Sequence, residues 1–464
     1  MNGTQIYRYL APSALGAAGL RLQTSGGPAA NPRFFAGCLT APRAAAAGLL
    51  AVAEVASTRY YQPTRPASLD PVVTGGQDRL RFESFSGCCG VYARLDVLPD
   101  GLDGDIVGHG TTNVDVNLPL RQALTRVGGI DPLHLSVGPD DLTVSTMDET
   151  VVERRVPLPG RWLRGFAEVQ VLCAGFEPLA TVAATEAAGF LRRLPPARDR
   201  SVLWAVPAGR TLRLTSRPTQ GAACIAGGWR LTALLGLLRF ASALRVYGPV
   251  VRPGAAPVAS TWELDCGSLL VSLTISPEPY RGFSGEGAVL AALAGDDVAD
   301  DARLVAALLS WDPCVDVEAL ARAAGLDPGR VLGALAILGS AGQVGFDVAQ
   351  RAYFHRSLPF DVARAERDNP RLIGARALVE AGAVQLDGLA ATVHSGAEVY
   401  RVRRLPDGSH TCTCEWWARH RGQRGPCRHA LASSMLASSM LASSIETPAT
   451  ETLAAETLAE GTVW

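Results

Sequence analysis

Lysine is missing. All 43 basic residues of the 464 are arginine, so the chain has no Schiff-base lysine and no phosphate-loop lysine. A GC-rich genome accounts for the bias most simply. Excess charge is missing too. Charged residues make up 19% and the net charge is -1, so no global field draws the chain to nucleic acid or anionic lipid, and electrostatic recognition has to be local. There is no long unbroken apolar run. The longest, around Trp229 to Val251, is interrupted by Arg230, Arg239 and Arg245 and predicts a buried amphipathic helix rather than a membrane span. The opening MNGTQIYRYLAPSALG lacks a basic segment followed by an apolar one. The expectation is a cytoplasmic protein with no membrane association. Of the ten cysteines, Cys38, Cys88, Cys89, Cys173, Cys224, Cys266 and Cys314 are scattered and are expected to be reduced, small hydrophobes rather than a disulfide framework.

What is present is ordinary globular composition, 48% hydrophobic, in a length that suits two to four domains of roughly 100–200 residues each. The pattern predicts an α+β, multidomain chain. Residues 1–290 form an N-terminal region. Its first helix spans 40–61, with Thr40 as cap, Pro42 in the first turn and Pro63 as terminator. From Gln77 to Ser276 short alternating runs follow (RLRFESF, GVYARLDVL, HLSV, DLTVS, VVERRVPL), with helices expected at Leu118–Val127, Pro178–Leu194 and Trp229–Leu244. Alternation predicts antiparallel strands rather than a doubly wound parallel sheet. Residues 298–358 read as a winged-helix-like domain. Its parts are helices at Ala302–Trp311, Val317–Ala324 (capped by Asp316) and Asp327–Leu338, then a hairpin of 343–347 with 351–355. Residues 365–435 carry a finger, and 436–464 are a low-complexity Ser/Thr/Ala/Glu tail expected to be disordered.

The finger is carried by Cys412-Thr-Cys414, twelve intervening residues, and Cys427-Arg-His429. Three thiolates at about 2.3 Å and one imidazole at about 2.0–2.1 Å complete a zinc tetrahedron, leaving no position for water or substrate. That is the pattern of a structural ion rather than a catalytic one. His410 and His420 lie close enough in sequence to stand in for His429. The spacing resembles the SWIM zinc finger. The flanks agree: Val379–Val384 and Ala390–Val393 look like its leading strands, Glu398–Val402 like its next strand, and CRHALA like its helix start. The resemblance implies a ββα core around one structural Zn2+. Phe34-Phe35-Ala-Gly, Ala41-Pro-Arg43 and Arg281–Gly287 add a resemblance of the whole chain to bacterial SWIM finger proteins. That resemblance implies an adaptor working alongside AAA ATPases and von Willebrand A-domain proteins.

Around the finger, Arg401, Arg403, Arg404, Arg419, Arg421, Arg424 and Arg428 stand against Asp407 and Glu415. With Trp416 and Trp417 they form a candidate partner surface, suited to phosphate contact and base stacking or to a protein hot spot. The helix after Asp327, which takes the recognition-helix position, carries only Arg330, where a groove-reading helix needs several polar and basic side chains. The favoured expectation is therefore a non-enzymatic adaptor that binds protein or nucleic acid. A DNA-binding regulator using wing and finger is the second reading. An enzyme with a site in residues 77–276 is the third. The glycine-rich stretch around His109 reads as a structural turn, the Arg281–Gly287 stretch with Ser284 as a structured loop, and the Cys88-Cys89 pair as buried strand cysteines. His134 and His355 read as structural histidines. Leu135–Val144 followed by Val151–Pro157 has the strand-turn-strand rhythm of sliding-clamp-like folds.

Overall fold

The computed structural model describes residues 14–16, 19–21, 33–61, 71–106, 108–196, 201–285, 287, 289–292, 298–358, 369–406 and 408–445. Expectations placed on Pro63, Val107, Asp407 and residues 446–464 lie outside these. The chain divides into two compact units, the first made of 1–289 and 299–365, the second of 290–298 and 366–464.

The first unit is built on an eight-stranded sheet. Its order is Glu177–Ala183, Ala243–Gly248, Ser260–Asp265, Leu269–Ile275, Val91–Val97, Leu80–Phe85, Val72–Gly75 and Gly110–Asn113. A five-stranded sheet runs Thr150–Arg154, Asp141–Ser145, His134–Val137, Phe35–Leu39 and Leu102–Asp105. Every named pairing in both sheets is antiparallel, as the alternating runs predict.

Alternation along Leu80–Phe85 and Val91–Val97 sorts residues by face. Leu80, Phe82, Ala93, Leu95 and Val97 join the apolar cluster with Ala45, Leu49 and Val52 of the Pro42–Ser57 helix. Arg81, Glu83, Arg94 and Asp96 point the other way, yet these strands are buried throughout. The cover is the Val344–Asp347/Ala352–His355 hairpin, whose Asp347 reaches Arg81 at 2.9 Å, together with the Gly160–Ala174 helix, whose Trp162 and Phe166 pack on Phe85. The Pro328–Ser340 helix comes close enough to Gly160–Ala174 that a Cβ on Gly339 would fall 1.1 Å from Gln170 Nε2. The helices at Val298–Leu308, Val317–Ala324 and Pro328–Ser340 match the expected order, with Asp316 accepting from the Ala319 amide at 2.9 Å.

Three local expectations change. Thr40 does not cap the first helix; its hydroxyl donates to the Asp100 carbonyl at 2.8 Å. Pro178–Leu194 is not one helix but a strand, Glu177–Ala183, followed by a helix, Ala184–Leu191. Trp229–Leu244 is a 3-10 segment, Gly228–Leu237, and then the start of the strand Ala243–Gly248. Arg230 is wholly buried, and its guanidinium donates to the carbonyls of Ala226 and Ser276 at 3.0 Å. An arginine that looks like an interruption therefore ties this segment to the adjoining backbone. Cys88 and Cys89 are buried as expected but lie in a turn, with Cys89 at φ +55.

The second unit holds a helix, Pro370–Glu380, then a four-stranded antiparallel sheet ordered Val384–Asp387, Ala390–Ser395, Glu398–Arg404 and His410–Cys412. A short helix, Glu415–His420, and an 18-residue one, Arg428–Ile445, follow. Val379–Ala383 is thus a helix end and turn, and the strand begins only at Val384. The last helix carries into the first residues of the stretch expected to be tail.

Candidate metal centre

Each half of the C-x-C and C-x-H pattern is delivered by the end of an element. Cys412 ends the strand His410–Cys412, paired to Val402 of the neighbouring strand. Cys414 is the N-cap of the Glu415–His420 helix, and its sulfur accepts from the Trp417 amide at 3.4 Å. Cys427 precedes the Arg428–Ile445 helix and accepts from the Ala430 amide at 3.4 Å. His429 lies in that helix's first turn. Two of the three sulfurs therefore sit where helix amides point outward, a setting that favours thiolate.

The four side chains are buried, and their donor atoms all lie within 4.8 Å of one another. His429 presents Nδ1 to the sulfurs, 3.8 Å from Cys412 Sγ. A zinc–sulfur distance of about 2.3 Å implies a tetrahedral edge of about 3.8 Å, so small side-chain adjustments bring all four donors onto one ion. The donor set, soft thiolates plus one imidazole, suits zinc. Hydrogen bonding from Cys412 pushes the Cys427 thiol down to about 4. Cys412 is pushed up, first by its hydrogen bond to Cys427 and then by burial, and Cys414 is pushed up by burial. Zinc uptake would displace the protons that Cys412 and Cys414 retain. His429 is held in place by Tyr400, stacked on it at 4.1 Å between ring centroids with 20° between planes.

The two alternative histidines turn elsewhere. His410 Nε2 is 3.3 Å from Ser434 Oγ, and the His420 ring packs against Trp416 at 4.4 Å.

This arrangement matches a known pattern. Residues 400–434 match the family model of the SWIM zinc finger. No curated protein matches the chain. Among solved structures it is similar to the proliferating cellular nuclear antigen of Entamoeba histolytica, at 9% identity and a TM-score of 0.34, covering 53% of this chain and 99% of that one. It is also similar to the PCNA2–PCNA3 complex of Sulfolobus tokodaii, at 9% identity and a TM-score of 0.36, with the same coverage. Both likenesses are too remote to bear on function.

The SWIM finger disperses the expected partner residues. On the strand Glu398–Arg404, Arg401 and Arg403 project to the face opposite Val402 and are exposed. Arg404 takes the Val402 side, at the exposed end of the strand. Trp416 is engaged internally, with the guanidinium groups of Arg371 and Arg424 at 4.5 and 5.0 Å from its ring. Trp417 packs on Gly422, whose φ of +81 admits glycine readily. Arg419 pairs with Glu415, and Arg428 donates to Ser395 at 3.0 Å. Arg421 is exposed at the end of its helix.

Arg371 carried no sequence signal. From the Pro370–Glu380 helix its Nη1 donates to the carbonyls of Arg424 (2.7 Å) and Pro426 (3.0 Å), fixing the backbone just before Cys427. Arg371→Met keeps much of the apolar stem and removes both bonds, at about 1–3 kcal/mol for charged donors. Zinc affinity measured by chelator competition is expected to fall about tenfold. An unchanged affinity would show that the loop holds its shape without the clamp.

Proposed function

We propose that the chain is a non-enzymatic adaptor, in which a structural zinc rigidifies the finger so that its sheet presents Arg401 and Arg403 to a partner. The observation that carries this is the closed donor set. Four protein ligands fill the shell, so the ion's contribution is to shape, while the arginine pair beside it faces solvent with no ion pair among the described residues. Val399 on the same face is 53% exposed, which adds an apolar contact of the kind protein interfaces use.

The rival reading, a DNA-binding regulator that uses residues 298–358 as a winged helix, has less to draw on. Arg330 pairs with Asp301 at 2.7 Å, Arg351 with Glu177 at 2.8 Å, and the buried Arg356 with Glu83 at 2.7 Å. Arg303 pairs with Asp300. Four of the segment's five arginines are thus paired with carboxylates, and the fifth, Arg322, is exposed, a sparse set for a phosphate-contacting surface. We take this segment as a docking or spacer element.

The test is affinity purification of the intact protein with and without nuclease, alongside Arg401→Glu/Arg403→Glu. A nuclease-resistant partner should be recovered and then lost by about tenfold or more on charge reversal. AAA ATPases and von Willebrand A-domain proteins are the first classes to look for. Recovery that vanishes with nuclease and falls steeply as salt rises would instead establish the nucleic-acid reading.

A further inference from the structure

Charge is unevenly spread along the first unit. Residues 184–255 hold eleven arginines and two acids, Glu186 and Asp199, in a chain whose net charge is -1. Two of these arginines are used internally. Arg230 is wholly buried on backbone carbonyls, and Arg245 pairs with Glu263 and Asp265. Arg192, Arg193, Arg210, Arg213 and Arg217 are exposed and form no ion pair among the described residues.

Local structure gathers these five. Val202–Ala208 pairs antiparallel with Thr211–Thr215 on one side and Ala223–Ala226 on the other, so Thr211–Thr215 is an edge strand. Arg210 lies in the hairpin turn, Arg213 in mid-strand and Arg217 just past its end. In extended chain that row spans roughly 20 Å. The Ala184–Leu191 helix packs against this strand, and Arg192 and Arg193 follow its last turn. Leu194 then meets Gly228, where an added Cβ would fall 3.0 Å from the leucine Cβ. Gly228 lies just past Ala226, the partner of Val202, and Trp204 opposes Thr215. The helix therefore exits at the Arg217 end of the row. The other strands it touches, Glu177–Ala183 and Ala243–Gly248, carry one carboxylate, Glu177, and Arg351 pairs with it.

We propose that this surface holds the phosphate backbone of duplex nucleic acid without reading its sequence. The planar fork of arginine matches phosphate oxygens, and exposed Ser216, Thr219 and Gln220 add neutral donors. What the surface lacks narrows the partner. Among the described residues of 184–249, no aromatic or large aliphatic side chain is exposed. A protein hot spot needs such an anchor, and a single strand needs rings on which its bases stack. Counterion release from a duplex needs neither. Arginines that only guard an edge strand against stray pairing would explain Arg213, but not Arg192 and Arg193 beyond a helix. The proposal goes beyond the adaptor reading, because it uses neither the finger nor the 298–358 segment.

The test is fluorescence anisotropy of a short labelled DNA duplex with the zinc-loaded full chain over a range of salt. Five phosphate contacts predict that log affinity falls against log salt with a slope of about -4.5. A duplex of unrelated sequence should bind equally well. Arg210→Gln/Arg213→Gln/Arg217→Gln should weaken binding at least about tenfold and flatten the slope by about 2.7, since each lost contact removes about 0.9. Arg192→Gln/Arg193→Gln should flatten it by about 1.8 on the same basis. Arg401→Gln/Arg403→Gln should leave the slope unchanged, which keeps this result separate from the fate of the adaptor reading. Absence of duplex binding by the wild type would overturn the proposal. So would a slope that the triple variant leaves unchanged, or tighter capture by phosphatidylserine vesicles than by the duplex.

Discussion

Cys427→Ala is expected to abolish stoichiometric zinc and unfold the SWIM finger while leaving the eight-stranded sheet intact. Structural zinc contributes about 10–16 kcal/mol to the folding of small fingers. Little else in this finger approaches that figure. The Glu415–His420 helix has no buried residue of its own, and the buried apolar side chains are few and mostly small to medium, among them Leu372, Val384, Val393, Val402, Leu431 and Met435. Removing one of three thiolates leaves an incomplete shell and a vacancy beside Cys412, Cys414 and His429. Hydrogen exchange should show residues 400–434 losing protection to near the unstructured rate. Val91–Val97, buried at every position in the other unit, should keep it. Cys314→Ala is the control, because that thiol is exposed and distant in sequence and its loss should leave the metal content unchanged. Purified protein without zinc would sink the assignment of the site. Cooperative loss of both regions in Cys427→Ala would sink the independence of the two units.

The zinc site was the most legible feature because its information is local. Ligand type and spacing are set within eighteen residues, and the strand end and helix starts that carry them are short-range elements. The antiparallel strands were legible for the same reason, since alternation repeats every second residue. The misread segments share one physical cause. Pro178–Leu194 and Trp229–Leu244 are apolar stretches whose conformation is fixed by partners far along the chain. Pairing with Ala243–Gly248 holds Glu177–Ala183 extended, and carbonyls of Ala226 and Ser276 hold Arg230. Arg371 was invisible because it acts on Arg424 and Pro426, more than fifty residues away. The dispersal of the finger arginines was equally hidden. A charge count shows how many there are, whereas strand alternation and the Trp416 stack decide which reach solvent.

Asp347 carries the second large effect. It closes a ring of alternating charges on the buried outer face of the sheet. Arg81 lies 2.7 Å from Asp96 and 2.9 Å from Asp347, and Arg94 lies 2.7 Å from Asp96 and 3.2 Å from Asp347. All four side chains are at most 4% exposed. Burial pushes the Asp347 pKa up, but Arg94 and Arg81, joined by the Gln350 amide and Arg79, outweigh it and hold the carboxyl well below the usual range. Asp347→Ala leaves two buried guanidinium groups sharing one carboxylate, so unfolding of the first unit should cost about 3–5 kcal/mol less. Arg94→Met/Asp347→Leu should be less damaging than Asp347→Ala alone, because it leaves Arg81 and Asp96 as a neutral pair and fills the space with apolar atoms. The sign with pH follows from the lowered pKa. The stabilisation from Asp347 is fully present above its unfolded value of about 3.9 and is lost as pH falls from there toward the folded value. Thermal melts of the wild type should therefore lose stability below about pH 4, and the gap between wild type and Asp347→Ala should narrow over the same range. A gap that stayed constant would mean the hairpin is held by Phe346, Tyr353 and Phe354 packing alone. If the double variant proved worse than the single one, the ring would be stabilising as a whole rather than costly to break at one member.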